Sequence, residues 1–315
     1  MRTAQRPLTP GWVAGSVRTS HMLGRRLGRD RALSLASSAS LEQALGVLAG
    51  SAYGRSVRKG MSLASAQRAV AETALWHVRV LAGWMPPRAI DLVRTLAGWF
   101  ELANIEDRLD YLAGGALRAP FDLGGLAIAG DALAGAASVA EAREALKGSA
   151  WGDPGGEDPA ALRVALRLAW SRRTVATVPE AREWALGAVA LLLARELLLA
   201  GRAPEQLAAL RPPVTGGAWM GSRSVEALRR ALPPDCGWPL AGLVEADALW
   251  LGEAAWWHRV EQDAESLARA TQLGRATVIG AIALLGVDAA RVGAALESAS
   301  RGGGAQAMEA FERVT

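Results

Sequence analysis

The sequence predicts an all-α protein, and three observations predict it. Apolar residues recur at helical spacing, as in the stripe Leu41, Ala44, Leu45 and Leu48. Helix start signals precede such runs: Ser40 with Gln43, and Ser138 with Glu141, read as capping boxes. Period-two alternation is lacking, and the best strand candidate, Arg173–Val178, is short and lies between helical runs.

In order, a short capped helix starts at Ser40 and ends near Gly54. After Pro86-Pro87 a long helix runs to Gly114-Gly115, the prolines and glycines marking its two ends. A second capped short helix starts at Ser138, and the acidic, Gly/Pro-rich stretch Trp151–Pro159 reads as a loop. Thr177 to Glu180 is a further start signal with Pro179 in the first turn, and one long helix is expected from there to Gly201. Pro212-Pro213 and Pro233-Pro234 break the chain again. The greasiest runs, Ala185–Ala194 and Thr277–Val287, are stopped by Arg195-Glu196 and by Asp288. Both are shorter than the ~20 residues a bilayer span needs, so no transmembrane segment is expected. Ser300–Gln306 reads as a flexible linker to a last short helix.

One segment is written more than once. SLEQALGVLAGSAYG (Ser40–Gly54) and SVAEAREALKGSAWG (Ser138–Gly152) match at seven of fifteen places, including Gly-Ser-Ala-aromatic-Gly at the end. A fainter third copy, SVEALRRALPPDCGW, begins at Ser224. Downstream of each lies a greasy helix carrying one polar residue: Asn104, Arg195 and Arg291, at 64, 57 and 67 residues from the repeat's serine. An Asn within a helix costs a fraction of a kcal/mol against Ala, about 0.5, and so should hold a partner. Three modules follow, 1–118, 119–212 and 213–315, each longer than a solenoid unit of ~20–45 residues.

Composition narrows the chemistry. The 315 residues carry a formal charge of +4, with Lys only at Lys59 and Lys147 and Arg elsewhere, a bias that suits contacts with carboxylates or phosphates and that GC-rich coding also produces. Twelve tryptophans on an Ala/Leu background serve as core wedges or interface anchors. The single Cys236 excludes an internal disulfide framework, and His21, His77 and His258 lack metal-ligand spacing. No phosphate-binding loop, nucleophile elbow or dinucleotide fingerprint occurs. Asp107 and Asp110 read as a solvated face. The expectation is a non-enzyme without cofactor, metal, small-molecule substrate or nucleic acid. Arg18, Arg25 and Arg26 offer a contact face for acidic partners or a membrane surface. The opening residues lack the apolar core of a secretory signal.

Three passages resemble the C subunit of bacterial and archaeal V/A-type rotary ATPases, which is similar to subunit d of the eukaryotic V-ATPase. GSVRTSHMLGRRL (Gly15–Leu27) looks like that family's N-terminal helix, and Ser40–Gly54 like its short-helix signature. LVRTLAGWFELANIEDRLDYLAGG (Leu92–Gly115) looks like its long helix, with Asn104-Ile105 at the family's Asn-Leu pair. The resemblance implies three similar helical domains in a pseudo-threefold funnel. It implies a non-catalytic central-stalk subunit that seats the shaft subunits on the membrane rotor (proteolipid) ring and passes torque for proton or sodium transport, peripheral to the membrane on its cytoplasmic side. The alternative is an all-α adaptor or scaffold unrelated to ion transport. In either case Asn104, Arg195, Arg291, Arg18, Arg25 and Arg26 are the structural or partner-contact residues to examine.

Overall fold

The computed structural model describes residues 10–156, 158–203, 207, 215–270, 274–304 and 308, and among them the chain is all-α with no strand. In chain order the helices are α1 (Pro10–Leu23), α2 (Arg29–Ala36), α3 (Leu41–Ala49), α4 (Leu63–Ala82), α5 (Ile90–Leu112), α6 (Asp131–Gly135), α7 (Val139–Lys147), α8 (Pro159–Thr177), α9 (Arg182–Ala194), α10 (Val225–Ala231), α11 (Pro234–Gly237), α12 (Leu249–Ala268) and α13 (Arg275–Ser300).

The prolines and glycines around α5 act as expected: a 3-10 turn, Pro87–Ala89, leads into it, and Gly114 leaves it at φ 94°. The strand candidate Arg173–Val178 is instead the end of α8. Thr177 closes that helix and does not cap the next, which starts from the turn Pro179–Ala181 without a side-chain cap. The single helix expected to run to Gly201 changes pitch at Arg195. Arg195–Leu199 form a π turn in which Ala200 N donates to Arg195 O at 2.9 Å, before Gly201 exits at φ 63°.

Asp288 does not end its apolar run. α13 continues through it to Ser300, because the carboxyl finds donors on other segments, described below. Among the described residues α13 is the one helix long and apolar enough to cross a membrane, and 67% of its most apolar window is buried within the protein.

The chain divides into two compact units, Met1–Val93 with Trp257–Thr315, and Arg94–Trp256. The division falls within α5 and α12. In the first unit α13 packs on α1, α2, α3 and α4, and Val292 and Leu296 join Leu35, Leu45, Leu48, Tyr53 and Val70 in one buried cluster. α12 approaches α13 so closely that a Cβ on Gly280 would lie 2.5 Å from the Ala264 carbonyl oxygen. The glycine-rich tail is held where it is described, Gly304 N donating to Ala36 O at 3.3 Å. The rest of that linker and the last short helix lie outside the described residues, apart from Met308, which is buried in the same cluster. Pro212-Pro213 is outside them as well.

The second unit holds two buried clusters that meet along α8. Leu162 and Leu166 face one cluster, with Leu102, Ile105, Leu146 and Trp151; Val164 and Leu168 face the other, with Leu193, Trp219, Leu228 and Leu240. Pairs four apart share a helix face, so these two i, i+4 pairs explain how one helix serves both clusters. The tryptophans divide likewise: Trp151, Trp184 and Trp219 are core, whereas Trp84, Trp99 and Trp250 are about half exposed.

Candidate functional site

The repeated segment is built twice by the same local chemistry. Ser40 Oγ accepts from Gln43 N at 3.3 Å, and Ser138 Oγ from Glu141 N at 3.2 Å, filling orphan donors of α3 and α7. Gln43 and Glu141 reach back to the backbone N–H of Ala39 and Ala137, one residue further than in the usual capping box. At the far end Ser51 and Ser149 each donate to the carbonyl three residues back at 2.7 Å, and each accepts from the N–H of the aromatic two residues on at 3.1 Å. Gly-Ser-Ala-aromatic is therefore a serine-fixed hinge, and its product is the aim of Tyr53 and Trp151.

Both aromatics are aimed at a buried carboxyl. Tyr53 Oη donates to Asp288 Oδ2 at 2.7 Å, while the backbone N–H groups of Leu27 and Gly28 donate to Oδ2 at 2.9 Å and Oδ1 at 2.8 Å. Trp151 Nε1 donates to Glu101 Oε2 at 2.9 Å, while Ile128 N and Ala129 N donate to Oε1 at 2.6 and 2.7 Å. Asp288 is 1% exposed and Glu101 4%, a placement tolerable only because every bond comes from a donor. The segment that supplies the two N–H groups leads each time to a glycine N-cap of nearly the same conformation, Gly28 at φ 77°, ψ 171° and Gly130 at φ 76°, ψ 169°. Only glycine enters that region freely.

The third copy keeps the cap and loses the anchor. Ser224 Oγ accepts from Ala227 N at 3.2 Å. Trp238 Nε1 then donates to the backbone oxygen of Glu183, and Cys236 Sγ to that of Leu186, and no carboxyl is among the buried residues of α9.

The predicted polar residues fall into the same register. Asn104 and Arg291 each stand three residues after a buried carboxyl, and Leu192 holds that place before Arg195. Asn104 spends both ends of its amide on the Phe121 backbone, at 2.9 and 2.6 Å, so it fixes the loop after α5. Arg291, 6% exposed, makes a two-pronged ion pair with Glu261 at 2.6 and 2.9 Å. Burial works against the charge of Glu261, yet the guanidinium holds its carboxyl below the ordinary range. Arg195 is about half exposed and pairs with Glu253. Arg18 is half-buried with Nε unpartnered, Arg25 is exposed, and Arg26 Nε donates to Leu23 O at 3.4 Å. Asp107 and Asp110 pair with Arg118 and Arg163, at 2.7 and 3.0 Å.

The long helix that anchors a copy is not the one downstream of it. Glu101, on the helix after the first copy, anchors the second; Asp288, near the chain's end, anchors the first. Neither carboxyl was visible as a site residue in sequence, although each is a lone acid in an apolar stretch beside a residue that was. With three donors apiece, these carboxyls have most of their roughly four lone-pair sites committed and act as structural anchors. Compared with known proteins, the sequence matches no family model and no curated protein.

Proposed function

We propose that this chain is a non-catalytic central-stalk subunit of a V/A-type rotary ATPase, coupling the rotating shaft to the membrane rotor ring. The observation that carries the reading is the recurrent unit of long helix, glycine-capped turn, serine-capped short helix and hinge-aimed aromatic. Two copies are closed on a buried carboxyl, and the first is closed by the last long helix of the chain. A helix as far along the chain as α13 completing the first repeat is the arrangement expected of modules set around a closed pseudo-threefold funnel. A torque coupler needs stiff units, and buried carboxyls with three donors each, which hold only one local geometry, supply stiffness of that kind. In this reading the three modules centre on Ser40, Ser138 and Ser224, and the subunit is peripheral to the membrane, its contacts made by the shaft and the proteolipid ring. Half-exposed Trp84, Trp99 and Trp250 are of the residue type that anchors protein interfaces.

The test is co-expression with the shaft subunits and the ring of a V/A-type enzyme. A stable complex should co-purify, and the isolated chain should show no ATP hydrolysis of its own. Absence of binding to any rotor subunit would overturn the proposal.

A further inference from the structure

The first unit carries a cluster of basic side chains. Arg18 and His21 come from α1, Arg25 from the turn after it, and Arg55 from the one-turn helix Ala52–Arg55 that ends the first repeat. Trp76 and His77 come from α4. The Arg55 guanidinium lies 4.1 Å over the Trp76 ring, and Trp76 meets His77 edge-on with centroids 4.9 Å apart. Stacking of that kind holds a guanidinium in place with its donors unspent.

His77 is 6% exposed, and its Nδ1 is buried with no hydrogen-bond partner; Arg18 Nε and Ser16 Oγ are in the same condition. Buried polar atoms seldom go unsatisfied without a reason. Arg18, Arg25 and Arg55 lie close enough to the imidazole to disfavour its protonated form. Burial first, and these cations after it, lower His77 to about 4, so it is neutral at pH 7. The acids on neighbouring elements are engaged elsewhere: Glu72 with Arg68, Glu261 with Arg291, and Asp288 with its three donors. Several cations around one buried imidazole match a doubly charged phosphate monoester better than a singly charged carboxylate, and guanidinium forks bind phosphate oxygens in pairs.

We propose that Arg18, His21, Arg25, Arg55 and His77 form a binding site for a phosphate monoester dianion, free in solution or carried on a lipid headgroup. Its test involves no rotor subunit, so this proposal and the coupling role can fail separately.

The experiment is an NMR titration of the His77 imidazole in the full chain, assigned through His21→Gln and His258→Gln variants. The probes, at constant ionic strength, are inorganic phosphate and phosphatidylcholine vesicles containing phosphatidic acid, with phosphatidylserine vesicles of equal charge as control. Binding should raise the His77 pKa by at least about one unit, a tenfold coupling between proton and ligand. A response to phosphate alone identifies a soluble ligand, one to phosphatidic acid alone a lipid, and either supports the site. Arg55→Gln, at an exposed position, should weaken binding about tenfold, the loss expected for one charge-assisted contact. Arg301→Gln, which is paired with Glu297 instead, should leave it unchanged. An unmoved His77 with both probes, an equal shift with phosphatidylserine, or equal binding by Arg55→Gln and wild type would overturn the proposal.

Discussion

Replacing Asp288 by Asn changes one oxygen to an amide nitrogen and tests the anchor directly. Wild-type Oδ2 accepts from Leu27 N and Tyr53 Oη and Oδ1 from Gly28 N, so all three bonds run toward the carboxyl. An amide turned to keep the first two sets its NH2 against the Gly28 N–H, one donor facing another in a site 1% exposed. A bond to a charged acceptor is lost and a buried donor is stranded, which together cost about 3 kcal/mol. Tyr53→Phe removes one donor and leaves the carboxyl two, for a cost of about 1 kcal/mol. In Asp288→Asn the kept Tyr53 bond runs to a neutral oxygen, so the double variant should fall short of the sum only by the difference between a charged and a neutral acceptor, about 0.5 kcal/mol. Urea unfolding followed by far-UV circular dichroism measures the three differences. Hydrogen exchange at the Leu27 and Gly28 amides provides a local readout that does not depend on two-state unfolding of a two-unit chain. A cost below about 1 kcal/mol for Asp288→Asn, or unchanged protection of the Gly28 amide in that variant, would refute the anchor as the element that closes the first repeat.

Glu101→Gln should behave as Asp288→Asn does, costing about 3 kcal/mol and exposing the Ile128 and Ala129 amides to exchange, since the donor count is the same. Burial first, and Asp288 after it, raise the Tyr53 phenol well above 10.0. The Tyr53 contribution is therefore complete below pH 10, where the unfolded phenol keeps its proton, and is lost as pH rises beyond; Tyr53→Phe should flatten that alkaline limb of a stability-versus-pH curve. His77 runs the other way, its pKa being lowered from 6.5 to about 4. Its contribution is full above pH 6.5 and fades as pH falls toward 4, by about 2 kcal/mol once screening of the solvent-facing arginines is allowed for, and His77→Gln should remove that acid limb. Burial, then Asp235, raises the Cys236 thiol to about 12, and its Sγ donates to Leu186 O at 3.2 Å, so a thiol reagent at pH 8 should label the chain only after denaturant is added.

Local chemistry made several of the helices legible in sequence. Capping serines announced α3, α7 and α10, and Pro86-Pro87 and Gly114 bracketed α5, because such signals act within a few residues and need nothing from the rest of the chain. Errors arose where a tertiary partner decided the outcome. Asp288 looked like a stop because a lone acid in an apolar run is costly, and it is not a stop because Tyr53, 235 residues away, supplies a donor. Thr177 looked like a cap, but the backbone at Val178 follows α8 directly, and the turn Pro179–Ala181 starts α9 with no side chain. The polar residues Asn104 and Arg291 were noticed for their isolation, yet the side chains that close the repeats stand one helical turn before each.

The terminal glycine of the repeat shows why identical letters do not carry identical causes. Gly152 takes φ 74°, where a side chain would be strained although space is open around it. Gly54 has no such φ, but a Cβ there would sit 2.1 Å from the Ala49 carbonyl oxygen. The two copies thus keep glycine for conformation in one case and for close approach in the other. Gly152→Ala should cost about 1 kcal/mol of strain with the loop otherwise intact. Gly54→Ala must displace the end of α3, and with it the Tyr53 hydroxyl from Asp288, so it should cost clearly more and also remove the protection of the Leu27 and Gly28 amides. Equal costs for the two substitutions, or retained protection in Gly54→Ala, would show that the hinge does not aim the aromatic. The repeat would then be two similar helices that reached similar carboxyls by separate routes.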